Sequence, residues 1–251
     1  MLRRSDPLVS IARSAKRQLS FRRDWMLTRW RGKAHGFSAQ DLARARRYHR
    51  IRCGLDKPRY EHELQRPLGY FPGLTARPVH DSKDFPWTAK LEAAFPTIRD
   101  EALRARARAR KHQEQDLVGT GGWDVLYFYS AGRKVDDGHR ACPETAAILA
   151  SIPGVGAAGQ ADFSVLAGGT HIKPHCGPTN TRLRCHLGLS VPDGCRLRIG
   201  TEIARWREGE CLVFDDSFEH EVWHDGDDER IVLILDFLAT RAKRGGDLGG
   251  Y

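Results

Sequence analysis

The chain has 251 residues, 40% of them hydrophobic and 29% charged, which suits one water-soluble domain with a single good core. No run approaches the roughly 18 apolar residues that a membrane-spanning helix needs, and the basic start MLRRSDPLVSIARSAKRQLS lacks the apolar core of a secretory signal. The formal charge of +9 is uneven, because residues 1–60 hold 17 Lys/Arg against 4 Asp/Glu while the remainder is net acidic.

These features predict a cytoplasmic protein, peripheral at most to a membrane, in which a basic arm precedes a mildly acidic domain. Such an arm suits contact with an anionic surface, and it equally suits a solvated helical face packed on the domain. No motif for specific nucleic-acid recognition accompanies it. Six cysteines stand at 53, 142, 176, 185, 195 and 211, and none forms a Cys-x-x-Cys pair. Reduced thiols in or near the core are expected rather than a zinc site.

In chain order, residues 8–31 are expected to form a basic, weakly amphipathic helix with Leu8, Ile11, Leu19, Trp25 and Trp30 as its apolar positions. A second helix is expected over 38–52, where Ser38 and Asp41 make a capping box and Phe37 can staple against Leu42. Residues 60–78 are rich in proline and glycine and read as an irregular connector. Two helices should follow, from Ser82 or Asp84 to Phe95 and from Thr97 to Gln115, the second with an exposed arginine face. At Trp123 the period changes to two, predicting a strand to Ser130; a short helix is expected from Ala141 to Ile152. Further strands are predicted near 161–167, 182–191, 195–200, 202–206, 211–214, 220–224 and 230–238, with turns at Pro192–Gly194 and Glu208–Gly209. The order predicts a mainly β protein, an antiparallel jelly roll braced by helices. Boundaries are placed at 1–60 for a basic helical arm, 61–240 for the jelly-roll domain and 241–251 for a tail.

Two histidines concentrate the chemistry. His175 lies in HIKPHCGPTNTRLRCH and His220 in FDDSFEHEVWH, and the apolar strand RIVLILDFL opens at Arg230. A lone histidine is more often a core or surface residue than a ligand. Arg230 raises the odds, since a guanidinium entering a barrel must pair with an anion or cost several kcal/mol. Alternation also sets Arg182, Arg184 and His186 on one strand face, with Leu183 and Cys185 on the other. That face is either an anion pocket or a solvent-facing strand. Non-haem Fe(II) oxygenases usually bind iron through two histidines and a carboxylate two residues after the first. Here Gly177 stands at the carboxylate position. Asp215 and Asp216 either orient ligands or form a surface turn.

From FPGLTARPVHD through FPWTAKLEAAFPTIRDE, the Trp123 strand, FSVLAGGTHIKPHCGPTNTRLRCHLGLSVP and WREGECLVFDDSFEHEVWHD, the chain resembles the aspartyl/asparaginyl β-hydroxylase family of Fe(II)/2-oxoglutarate dioxygenases. The resemblance implies a double-stranded β-helix, cupin-like, with Fe(II) as cofactor and 2-oxoglutarate as cosubstrate. It implies that His175 and His220 ligate the metal, and that Gly177 replaces the third ligand as is usual in the family. Arg184 and His186 would hold the cosubstrate end nearest the metal, and Arg230 and Ser164 its far carboxylate, with Leu166 lining that pocket. Arg182 would face the substrate.

The implied reaction uses O2 to convert 2-oxoglutarate to succinate and CO2 while hydroxylating a peptide or small-molecule substrate at an aspartyl or asparaginyl side chain. Two departures bear on the substrate. His139 and Ala146 stand where animal members carry bracing cysteines, and the basic arm replaces their upstream tetratricopeptide repeats. Both argue against a secreted disulfide-rich domain as substrate. Hydroxylation of a lipid A acyl chain is the alternative within the family, and a non-enzymatic jelly-roll binding module the alternative outside it.

Overall fold

The structure, a computed structural model, describes residues 7–34, 36–157 and 159–238. In chain order the helices are α1 (Pro7–Ala34), α2 (Ala39–Arg52), α3 (Thr88–Ala93), α4 (Phe95–Ala105), α5 (Asp136–Ala141) and α6 (Pro143–Ala150). The first strands are β1 (Val79–His80), β2 (Arg110–Lys111), β3 (Val118–Thr120), β4 (Trp123–Ser130) and β5 (Arg133–Lys134). Those that build the barrel are β6 (Ala161–Leu166), β7 (Thr170–His175), β8 (Leu183–Ser190), β9 (Cys195–Ile199), β10 (Glu202–Ala204), β11 (Cys211–Phe214), β12 (His220–His224) and β13 (Arg230–Phe237).

Among the described residues these strands form two sheets. The larger runs β1-β11-β8-β13-β6-β4-β2, with β5 beside β4, and the smaller runs β10-β9-β12-β7-β3. From β6 to β13 the chain passes back and forth between the sheets, so two antiparallel four-stranded layers, β11-β8-β13-β6 and β10-β9-β12-β7, enclose a barrel. This is the double-stranded β-helix, mainly β and braced by helices.

The larger sheet is buried on both faces, and strand alternation divides its side chains. Phe163, Val165, Leu183, Cys185, Leu187, Ile231, Leu233 and Leu235 pack outward with Leu91, Ile98 and Leu149 of α3, α4 and α6. The opposite faces of the same strands turn into the barrel, where Leu166, Val232 and Ile234 meet Ile172, Leu197 and Val222 of the smaller sheet. Arg184, His186, Ser164 and Arg230 share that inner face by the same period of two. At Gly138, on α5, an added Cβ would lie 2.3 Å from the Tyr127 carbonyl oxygen, so only glycine lets α5 sit this close to β4.

The capping box at Ser38 and Asp41 is present, and Phe37 and Leu42 converge over Gly32. Residues 60–78 are irregular, and β4 spans the expected residues. Other expectations need correction. In α1 the inward residues are Phe21, Trp25 and Gly32, whereas Leu19 and Trp30 are exposed; Leu8 and Ile11 lie where side chains are not described. The helix expected from Thr97 to Gln115 stops at Ala105. Past Ala105 the arginine-rich run has no apolar stripe to bury; Arg106 reaches Glu229 and Asp124 instead, and Arg110–Lys111 pair with β4. The region from Ser82 to Phe95 is a 3-10 turn followed by α3; the helix expected from Ala141 to Ile152 is α6, which starts at Pro143, and the short α5 before it was not expected.

Strand β7 was not expected. Its sequence THIKPH alternates poorly and contains Pro174, which reads as a breaker. Pro174 is tolerated because it falls at a register shift between β7 and β12 and beyond the residues that β3 pairs.

Candidate functional site

His175 ends β7 and His220 begins β12, directly opposite each other in the ladder, and their ring centroids are 4.1 Å apart. Each ring makes the same local hydrogen bond. His175 Nδ1 lies 2.8 Å from the Lys173 carbonyl oxygen and His220 Nδ1 2.9 Å from that of Phe218. A carbonyl oxygen only accepts, so both Nδ1 atoms carry the proton and both Nε2 lone pairs are free. Burial holds both rings below the usual histidine pKa, and each other's proximity adds to this at His220. Two neutral imidazoles with free Nε2 atoms at one strand-end pair could hold a metal ion.

No side chain can join them from position 177. An added Cβ on Gly177 would lie 2.4 Å from the Asp216 carboxyl, which fills that space. Among the described residues no group of three His, Cys, Asp or Glu gathers to hold a metal. An ion here would take two protein nitrogens and leave its other positions to small molecules.

Deeper in the barrel, Ser164, Leu166, His186, Phe214 and Arg230 line a small cavity that also touches both histidines. Arg230 is 2% exposed, donates from Nη2 to Ser164 Oγ at 3.2 Å and packs over Trp206, while its Nε has no acceptor among the described residues. Burial without a paired carboxylate pulls its pKa down to about 10. The Trp206 indole N–H donates to His186 Nδ1 at 3.0 Å, so neutral His186 carries its proton on Nε2, and that buried donor has no acceptor either. Leaving such donors unmatched costs about 1–3 kcal/mol each. Their chemistry suits a carboxylate.

Toward the surface the cavity widens to about 480 Å³. Arg184 lines both regions and is held bidentately by Asp236, at 2.8 and 3.2 Å, with Asp216 3.3 Å away. Arg182 lies 3.3 Å from Asp236 and 3.9 Å from Asp216. The strand face of Arg182, Arg184 and His186 is therefore turned into the barrel and not to solvent. Asp215 and Asp216 separate: Asp215 accepts from the Ser217 amide and hydroxyl and from Gln65 and shapes the turn, whereas Asp216 faces the cavity.

Sequence reasoning missed several residues here. Asp236 had a legible signal, a carboxylate in an apolar strand six residues after Arg230 and so on the same face. Asp162, two residues before Ser164, is likewise buried on the inner face; burial pushes its pKa up to about 7, Asp236 adds to this, and Arg184 opposes it. His112 had no signal. It comes from the edge after β2, stacks on Trp123 at 3.6 Å and lines the wide part of the cavity.

The sequence pattern of the family described as Aspartyl/Asparaginyl beta-hydroxylase matches residues 92–240. The human aspartyl/asparaginyl beta-hydroxylase is 34% identical over 210 residues, covering 80% of this chain and 28% of that one. An ornithine lipid ester-linked acyl 2-hydroxylase of Rhizobium tropici is 36% identical over 172 residues, covering 64% of this chain and 60% of that one. The mouse aspartate beta-hydroxylase domain-containing protein 2 is 46% identical over 123 residues, 47% of this chain and 36% of that one. The chain thus spans under a third of the length of the human protein and under two thirds of the other two.

Proposed function

The chain belongs to the aspartyl/asparaginyl β-hydroxylase family, and on that premise we propose that it is an Fe(II)- and 2-oxoglutarate-dependent hydroxylase of aspartyl or asparaginyl side chains, free or within a peptide. One observation carries this reading: two free Nε2 lone pairs share a barrel with two buried donors that lack acceptors. Imidazole suits ferrous iron. A dicarboxylate suits Arg230 with Ser164 at one end, and His186 with Arg184 at the end nearer the histidines. When bound, the iron and 2-oxoglutarate supply oxidation of a substrate C–H bond by dioxygen, with succinate and CO2 as co-products.

The chain's own residues bind, orient and dry the site. The Lys173 and Phe218 carbonyls fix the tautomer and tilt of the two ligand rings. Trp206 holds His186 as an Nε2–H donor, and Trp123 donates to Ser164 at 3.0 Å. Leu166, Ile172, Phe214 and Val222 keep water from the inner cavity. Arg182, anchored but bordering the wide cavity, is placed to receive a substrate carboxyl or amide oxygen.

The test is succinate release with Fe(II), 2-oxoglutarate and a panel of aspartyl and asparaginyl peptides, with mass spectrometry of the peptide for an added oxygen. His175→Ala and His220→Ala are each expected to abolish turnover and to lose binding of Mn(II), read by calorimetry as an iron surrogate. Full turnover in either variant would refute the ligand assignment. The likeness to the Rhizobium tropici acyl hydroxylase favours a second reading, oxidation of a lipid acyl chain, lipid A included. The charged wall formed by Arg182, Arg184, Glu114 and Asp216 weighs against it, because an acyl chain offers nothing to pair with those groups. Hydroxylated lipid with untouched peptides would reverse the order of the two.

A further inference from the structure

We propose that the outer face of α1 is a docking surface for an anionic lipid bilayer. The inference is independent of what the barrel oxidises. Helix α1 has two apolar stripes. The inner one packs on α2: Phe21 is buried, Gly32 meets Leu42, and Thr28 Oγ1 lies 2.8 Å from His49 Nε2. The outer one, Leu19, Met26, Leu27 and Trp30, is covered by nothing among the described residues, with exposures of 66%, 69%, 51% and 70%. At 3.6 residues per turn these four fall within roughly a third of the circumference. Of nine exposed large apolar side chains among the described residues, five lie on the α1–α2 hairpin, Phe37 being the fifth; chance exposure would scatter them.

The flanks of the stripe identify its occupant. Arg22, Arg29, Arg31 and Lys33 are exposed on its two sides, and Lys16 and Arg23 are exposed within its arc, where their long stems let the charged ends reach past the apolar side chains. The one acid of the helix's described side chains, Asp24, turns inward to Arg52 at 2.5 Å. A convex helix with aliphatic and indole side chains at its crest and guanidinium groups along its sides matches a flat, anionic, deformable surface. A second copy of this face would bring like charges together. A nucleic acid would leave Leu19, Met26 and Leu27 without an apolar counterpart. No helix among the described residues is long and apolar enough to cross a membrane, so the contact is one of lying on the surface.

The hairpin also reaches the site. Tyr48 of α2 packs on Phe71 with centroids 5.7 Å apart, the Phe71 amide donates to Asn180 at 2.7 Å, and the Gly69 amide donates to the Pro178 carbonyl at 2.8 Å. Pro178 and Gly177 border the wide cavity. A bilayer held by α1 is therefore linked through this chain of contacts to the rim of the cavity.

The experiment is co-sedimentation of the full chain with vesicles of phosphatidylcholine alone and of phosphatidylcholine and phosphatidylglycerol in equal parts. Binding to the mixed vesicles only is expected. Met26→Gln with Trp30→Gln should weaken it by about tenfold or more, as should Arg22→Gln with Arg29→Gln. Both pairs lie on the exposed face, so melting temperatures should not move. Absence of binding to mixed vesicles overturns the proposal, and so does wild-type binding by the Met26/Trp30 variant. Two other results overturn it as well: a change of oligomeric state in that variant without vesicles, which assigns the face to a second copy, and displacement of vesicles by duplex DNA whose binding survives the apolar substitutions.

Discussion

Arg230 shows how function and stability pull apart at one residue. Its guanidinium is buried on the inner face of β13, with Ser164 as a hydroxyl acceptor and no carboxylate at bonding distance among the described residues. Replacing a buried uncompensated charge with an apolar side chain of similar length removes a desolvation penalty. Arg230→Met is therefore expected to raise the melting temperature of the ligand-free protein, by an amount equivalent to about 1–3 kcal/mol. Under the proposed function, the same change should weaken 2-oxoglutarate binding by about a hundredfold, since a buried charge-assisted pair would be lost. Thermal melts and calorimetric titration read both effects. Unaltered 2-oxoglutarate affinity would show that the far carboxylate is held elsewhere. Asp236, by contrast, is a residue that stabilises through compensation, because it ties down Arg184 and borders Arg182.

The helical brace depends on one contact between elements. Glu101 of α4 is 3% exposed, and its carboxylate accepts from the amides of Glu144 and Thr145 at 3.1 and 2.7 Å, at the start of α6. It therefore satisfies two N–H groups that an N-terminal turn leaves open and sits favourably at the positive end of the helix. Glu101→Ala should cost about 2–4 kcal/mol, as two amides lose their acceptor in a buried place. Urea unfolding measures this; a loss under about 0.5 kcal/mol would mean that water replaces the carboxylate freely. Sequence periodicity saw α4 but not this cap, because a glutamate 43 residues from the amides it serves leaves no local mark.

Across the whole molecule, two buried titrating groups make opposite contributions to stability. Burial, then Arg184 and His175, hold His112 down at about 4, so its contribution is present above pH 6.5 and lost as pH falls through 4. Asp162, pushed up to about 7, stays protonated in the folded chain while an unfolded carboxyl near 3.8 ionises. Its contribution is thus present below about 3.8 and lost as pH rises through 7. Between about pH 4 and 6.5 the two slopes oppose each other and largely cancel. Asp162→Asn removes one of them. The stability of that variant relative to the unsubstituted chain should increase with pH across this window, by up to about 1.4 kcal/mol per unit. Parallel stability curves for the two proteins would show that Asp162 is ionised in the fold.

The sequence by itself determined the elements whose periodicity is local. It marked β4, β6, β8 and β11 to β13, the capping box of α2, and the two histidine contexts with Arg230. An apolar period of two or a capping residue acts over a few positions and can be read in one line of residues. Only the tertiary structure decided which groups are orphaned and which are compensated. It made Arg230 and His186 donors without acceptors, turned Asp216 toward the histidines and Asp215 away, and brought His112 to the cavity. It also placed β7 despite Pro174, since a missing amide matters only where a neighbouring strand would have bonded to it. Charge compensation in a barrel depends on strands far apart in sequence, and no local pattern encodes it.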